Sequence, residues 1–382
     1  MRVALIGPVY PYRGGIAHYT TMLHRALCER EHEVLLVSFK RQYPKWLFPG
    51  QSDQDPSKRP LKAKEAKYWI DSLNPLTWLI AFRRIRLYRP DVIILQWWTT
   101  FWAPAWFVFG LLNRLFLRES LIYICHNVLP HETKFWDSRL VRLVLAWGTH
   151  FTVQSTSERE RLVAMLPRAN VVVSPLPVFD MFADGKISKA EARRQLGMPI
   201  DVPILLFFGI VREYKGLKDV LRALPVIQGR QGKVLLLVAG EFWEDKQPYL
   251  KIVEQLDIGG SVIIEDRYIP NEQVPLYFSA ADILVAPYRR VTGSAAIQMA
   301  FGFECPVVAT AIDGLMDLGH EHNDLMLVPP ADSDALAAAI VRYFTHVQAV
   351  SSSGHSEKRA FTWSSLVDII ESLVTEKSHS SP

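Results

Sequence analysis

Four short stretches have residue types and spacings that could act on an anionic ligand. Arg212 and Lys215 follow the apolar run at 204–208 and its closing Gly209, and Gly216 and an amphipathic run come next. Two cations beyond the carboxyl end of a buried strand suit a diphosphate. A guanidinium grips two oxygens as a fork, and an ammonium acts as a point charge. The competing reading, two solvated charges in a loop, is weakened by the strand context. Gly14-Gly15, in GPVYPYRGGIAHYT, can turn backbone N–H groups toward an anion at a helix start. The pattern is not GxGxxG, so a plain loop-to-helix turn stays open. Gly293-Ser294 opens the apolar segment GSAAIQMAFGFECPVVAT and offers N–H groups and a hydroxyl to phosphate, although alone it suits a core equally well. His126 ends the strand-like run of YICHNVLPHE, where ligands of parallel sheets bind. A lone histidine is more often structural.

Other patterns are better explained without a ligand. His131-Glu132 begins like HExxH, but the last position is Phe135, which removes a zinc site of that kind. Asp332-Ser333-Asp334 directly precedes ALAAAIVRYF and reads as a helix cap rather than a metal-binding DxD. Cys28, Cys125 and Cys305 are far apart and form no CxxC, which argues against zinc and disulfides and for a reducing, cytoplasmic setting. The net charge of +4 is too small to argue for nucleic acid. The apolar start MRVALIGPVY is too short and strand-like for a signal peptide, and no transmembrane helix is expected.

The elements that must position these residues alternate regularly. Strands are expected at 3–6, 34–39, 92–96, 121–125, 151–153 and 171–173, with a helix over 17–29 and room for crossovers between strands. The prolines of SPLPVFD, 174–180, interrupt the pattern. It resumes with strands at 204–208, 234–239, 262–264, 282–286, 307–309 and 325–328 and helices over 217–227 and 249–256. Runs such as VIIL are apolar on both faces, as buried parallel strands are. Two doubly wound α/β domains follow, with the ligand expected in the cleft between them. Residues 51–67 read as a long surface loop, 351–355 as a linker, 364–376 as a last helix and the remainder as a disordered tail. Two stretches, 76–90 and 97–118, mix arginines with tryptophan, phenylalanine and leucine. They read either as helices covering the sheet or as peripheral contacts with an anionic membrane surface.

Together these residues resemble glycosyltransferase family 4, enzymes of GT-B fold. The resemblance rests on GGIAHYT, CHNVLPHE, the strand–GIVREYKG–helix unit, AADILVAPY, TGS…PVVAT, PPADSDALAAAI and FTWSSLVDIIESL, in that order over nearly the whole chain. It implies an α/β protein of two Rossmann-like domains facing across a cleft. The N-terminal acceptor-side domain would span 1–177 and the C-terminal nucleotide-sugar-binding domain 178–360, with a closing helix and tail, 361–382, returning to the first. It implies a nucleoside-diphosphate sugar as donor, a glycan or lipid-linked acceptor, retention, and no cofactor or bound metal. By the same resemblance Lys215 matches the family lysine that grips the diphosphate. Arg212 substitutes for a family arginine replaced here by Ile210, His126 matches a histidine that contacts the donor sugar, and Gly14 and Gly15 match the glycine loop. The family's Glu-x7-Glu pair is missing: its positions fall on Val291 and Met299, or one residue earlier on Arg290 and Gln298. Gln298 is then the available amide for the ribose. The expected function is glycosyl transfer in cell-surface polysaccharide or glycolipid assembly. The alternatives are a nucleotide-sugar epimerase, which needs acid–base groups that this segment lacks, and a non-catalytic binding protein of the same fold.

Overall fold

A computed structural model describes residues 1–130, 135–319, 324–349 and 361–379. The chain divides into two compact units. Unit 1 comprises 1–56, 60–177 and 361–382, and unit 2 comprises 57–59 and 178–360. The His131-Glu132 pair and the 351–355 linker lie outside the described residues.

Among the described residues, unit 1 holds seven strands: β1 Arg2–Ile6, β2 Glu33–Arg41, β3 Lys67–Asp71, β4 Val92–Trp97, β5 Ser120–Cys125, β6 His150–Val153 and β7 Asn170–Val173. They form a parallel sheet in the order β3-β2-β1-β4-β5-β6-β7. Leu5 of β1 pairs with Leu36 of β2 on one side and with Ile94 of β4 on the other. The chain's direction of travel across the sheet therefore reverses between β1 and β4, and loops leaving these two strands diverge and open a crevice. β3 replaces the end of the expected 51–67 loop. Its sequence KYWID buries only Ile70 fully, and its pairing with β2 is interrupted by two register shifts. A polar, irregular edge strand lacks the apolar run that marks the others.

The aromatic stretch after β4 is mostly core. A 3-10 turn, Thr100–Trp102, leads into helix Ala103–Leu112 and a π-helical turn, Asn113–Leu117. Trp97, Trp102 and Trp106 are no more than 1% exposed. Trp102 stacks on Trp106 at 5.5 Å, and the Trp106 indole N–H donates to the Gln96 carbonyl at 3.1 Å. Residues 100–117 have the length and composition of a membrane span, yet here Trp102, Trp106 and Phe109 belong to the core of unit 1. The membrane reading of 97–118 therefore loses most of its aromatic residues. Leu115 and Phe116 remain exposed.

The last helix, Trp363–His379, packs within unit 1 and runs past its expected end. The Thr362 hydroxyl caps it by accepting from the Ser365 N–H at 3.1 Å. Leu366, Val367, Ile370 and Leu373 are buried, Trp363 meets the Tyr19 ring edge-on at 5.2 Å, and Arg30 bonds Glu371 at 2.8 Å.

Among the described residues, unit 2 holds β8 Ile204–Phe208, β9 Leu235–Ala239, β10 Val262–Glu265, β11 Ile283–Ala286, β12 Val307–Thr310 and β13 Leu325–Val328. Their parallel order is β10-β9-β8-β11-β12-β13, so β8 and β11 flank the second reversal. The Asp332 carboxylate accepts from the Ala335 N–H at 2.8 Å, the cap expected from its sequence position.

Candidate functional site

In unit 2 the expected cations lie where β8 and β11 end side by side. Gly209 closes β8 with φ +103°, a backbone state that favours glycine. The chain then makes a 3-10 turn, Glu213–Lys215, and enters helix Leu217–Gln231 through Gly216. Gly216 has φ +72°, and a Cβ there would sit 2.0 Å from the Pro287 carbonyl oxygen. Only glycine lets this turn approach the end of β11 so closely. The approach sets the Lys215 ammonium 3.9 Å from the centre of the Tyr288 ring, with Tyr214 on another side at 5.6 Å. Burial pulls the Lys215 pKa down, the two phenols more than reverse this, and the group stays charged at neutral pH. Arg289 fastens the same turn: its N–H donates to the Tyr214 carbonyl at 2.8 Å, and its guanidinium bonds the buried Asp219 carboxylate at 3.1 Å. Arg212 lies over the Trp243 ring at 5.2 Å. The Trp243 indole N–H donates to Glu241 at 3.1 Å, and the Glu241 side chain is itself buried.

Tyr288 carries a role that the sequence reading did not assign. Tyr288 closes AADILVAPY, immediately after a buried strand, and that position was the available signal. Its hydroxyl pairs with the Ser294 hydroxyl at 3.2 Å. Ser294 also accepts from the Ile297 N–H at 3.3 Å, so it caps helix Ala295–Gly302 from a buried position. Its hydroxyl is thus committed to the protein. Gln298 is 1% exposed, and among the described residues its Oε1 has no hydrogen-bond partner. Leaving a buried carbonyl unpaired costs about 1–3 kcal/mol. Met299 is buried in the helix, and Val291 is partly exposed.

In unit 1, Gly14 (φ +102°) begins helix Gly15–Glu29, and among the described residues no side chain caps that end. Its first-turn N–H groups and the helix dipole suit an anion or a polar hydroxyl. His126 follows β5, is 9% exposed, and its backbone N–H donates to the Trp97 carbonyl at 2.9 Å. Nε2 lies 2.7 Å from Gln96 Oε1, and Nδ1 lies 3.0 Å from Gln154 Nε2. An amide oxygen only accepts and an amide nitrogen only donates. Nε2 therefore carries the proton, and the ring is neutral. Burial lowers its pKa to about 3, and Tyr19 covers it edge-on at 4.7 Å. Both ring nitrogens thus face protein amides. Glu158, buried in the next crossover, accepts from the Val128 N–H and pairs with Arg161, which fixes the loop after His126.

Beside the glycine loop lies a cavity of about 280 Å³, lined by Tyr43, Lys45, Phe48, Gln51, Asp53 and Gln54, among others. The Arg13 N–H donates to the Asp53 carbonyl at 3.0 Å and the Asp55 N–H to the Pro11 carbonyl at 2.8 Å, which ties its rim to residues 11–13. Two rings with an acid, amides and a single cation suit a hydroxyl-rich ligand better than a diphosphate. Among the described residues, no three His, Cys, Asp or Glu side chains gather as metal ligands.

Both halves of the chain match known families. Residues 14–177 match the glycosyl transferase 4-like domain, and 202–346 match the glycosyl transferases group 1. The putative teichuronic acid biosynthesis glycosyltransferase TuaC of Bacillus subtilis is 26% identical over 218 residues, 57% of this chain and 52% of that protein. The D-inositol 3-phosphate glycosyltransferase of Geodermatophilus obscurus is 27% identical over 242 residues, 61% of this chain and 53% of that protein. The chain thus spans about half the length of these two relatives. HepE of Anabaena, solved with UDP-glucose, matches all of both chains with a TM-score of 0.66 at 18% identity, a likeness of fold.

Proposed function

This chain belongs to the family-4-like glycosyltransferases of GT-B fold, and on that premise we propose that it moves a sugar from a nucleoside-diphosphate donor to an acceptor hydroxyl. The observation that carries the proposal is the pair of cations after β8, with Lys215 held against Tyr288 by the close approach of Gly216. Glycosyl transfer develops negative charge on the departing diphosphate. Fixed cations and amide donors aimed at that charge lower the barrier and need no reorganisation. Lys215 and Arg212 hold the phosphates, and the Gly293-Ser294 backbone adds amides; Gln298, buried on the helix after this turn, would reach a ribose hydroxyl only if that helix shifts on donor binding. HepE, of the same fold, binds UDP-glucose, which supports a nucleotide-sugar donor.

The reaction runs with retention and without a metal: the departing phosphate takes the acceptor proton, and no enzyme nucleophile is needed. Unit 1 takes the acceptor, a saccharide seated in the cavity at 43–54, with the Gly14 and Gly15 amides alongside. We place this transfer in cell-surface polysaccharide or glycolipid assembly at the cytoplasmic side of a membrane, and the relative named for teichuronic acid biosynthesis supports the polysaccharide part of that reading.

A thermal-shift screen of UDP-, GDP- and ADP-sugars tests the donor half, because a ligand that binds only the folded state raises its apparent stability. At least one should raise the melting temperature, and Lys215→Ala should weaken that donor by about 1.5–3 kcal/mol, the range for hydrogen bonds to charged groups. No shift with any of them, or equal donor affinity in Lys215→Ala, would sink the proposal. Incubating the donor alone in heavy water separates the epimerase reading, since ring deuteration without acceptor is not glycosyl transfer.

A further inference from the structure

Helix Pro75–Tyr88 has two apolar faces, and among the described residues one is buried and the other exposed. Trp78, Ala81, Phe82 and Ile85 pack into unit 1. Leu76, Ile80, Arg83 and Leu87 follow at intervals of four, three and four residues, the spacing of a single stripe, with Leu79 beside them. At 100° per residue this stripe lies opposite the buried one. Leu76 is 67% exposed, Leu79 47%, Ile80 51% and Leu87 73%. Arg86 and Arg84 flank the stripe, one on each side, and both are exposed.

The charges on this element are of one sign. Residues 72–90 contain Arg83, Arg84, Arg86 and Arg89 and no acid. Arg86 lies over the Phe116 ring at 5.2 Å, which joins the helix to the exposed Leu115 and Phe116 and to Arg114. An exposed apolar stripe is costly in water unless something covers it. A protein partner would be expected to offer acids at fixed points. A bilayer surface offers anionic headgroups wherever the arginines fall, with acyl chains below for the leucines.

We propose that the outer face of helix Pro75–Tyr88, together with Leu115 and Phe116, docks unit 1 on an anionic lipid surface. Leu76, Leu79, Ile80 and Leu87 enter the boundary between headgroups and acyl chains, and the flanking arginines meet the headgroup phosphates. The docking does not depend on donor chemistry, so it can fail while the transferase reading stands, and the reverse also holds.

The test is co-sedimentation of the full chain with phosphatidylcholine vesicles, with and without roughly one-third phosphatidylglycerol. The wild type should sediment with the anionic vesicles, more weakly as salt is raised, and far less with the neutral ones. Ile80→Asp with Leu87→Asp should weaken that binding by about tenfold or more and leave the melting temperature unchanged, because both positions are exposed. Arg83→Gln with Arg84→Gln should weaken anionic binding alone. Failure of the wild type to sediment, or equal sedimentation of the aspartate variant, would overturn the proposal. So would a concentration-dependent dimer in analytical ultracentrifugation that the aspartate variant abolishes, because the face would then be covered by a second copy.

Discussion

His126 has both ring nitrogens bonded to amides and a pKa lowered to about 3 by burial. In the unfolded chain the same group has the ordinary value of 6.5. Between these values the unfolded state binds the extra proton, so folding stability rises with pH there. The contribution is fully present above pH 6.5 and is lost as pH falls toward 3, by about 1.4 kcal/mol per pH unit. Urea melts of wild type and His126→Gln at pH 7.5 and pH 5.5 measure it. The stability gap between the two proteins should narrow at the lower pH, and a gap that does not change with pH would contradict a neutral, buried imidazole. The residue itself was legible, as a histidine at the end of a strand. Its partners Gln96, on β4, and Gln154, just after β6, were not, because they meet it only through the β4-β5-β6 pairing.

At the scale of elements, the β8-to-helix turn shows how a backbone contact sets a side chain. Gly216 is needed twice over, for φ +72° and for the 2.0 Å approach that a Cβ would make to Pro287. Gly216→Ala pays the left-handed penalty of about 1–2 kcal/mol and must also push the turn off β11. Unit 2 should lose about 2–4 kcal/mol in calorimetry, and Lys215 should separate from Tyr288, so donor affinity falls as well. A variant as stable as wild type would show that the turn has another way to settle. The glycine was visible in GIVREYKG, whereas its contact with the carbonyl after β11, about 70 residues further on, was not. The same division separates β3 from the other strands. Runs such as VIIL announce strands buried on both faces, but KYWID pairs at a polar edge and gives no such sign. In the 97–118 stretch, composition allowed both core and membrane, and packing put Trp102 and Trp106 in the core.

At the scale of the molecule, the chain completes its first unit with its last helix. Removing 361–382 would expose the surface that Leu366, Val367, Ile370 and Leu373 cover, each no more than 1% exposed. At about 1.5–3 kcal/mol per buried side chain, the loss approaches the whole stability of an ordinary domain. The truncated protein should expose apolar surface to a hydrophobic dye and melt well below the full chain, and an unchanged melt would mean that the helix is dispensable. Sequence alone determined the alternation of strand and helix, the break near residue 177, and the placing of Arg212, Lys215 and His126 at strand ends. These follow from local periodicity and from prolines and glycines, which act over a few residues. Tertiary structure decided which groups meet: Lys215 with Tyr288, His126 with two glutamines and Ser294 with its own helix, while the outer stripe of helix Pro75–Tyr88 stays exposed among the described residues. Those outcomes depend on strand order and close packing, which bring residues far apart in the chain within hydrogen-bonding distance and leave no trace in the sequence around any one of them.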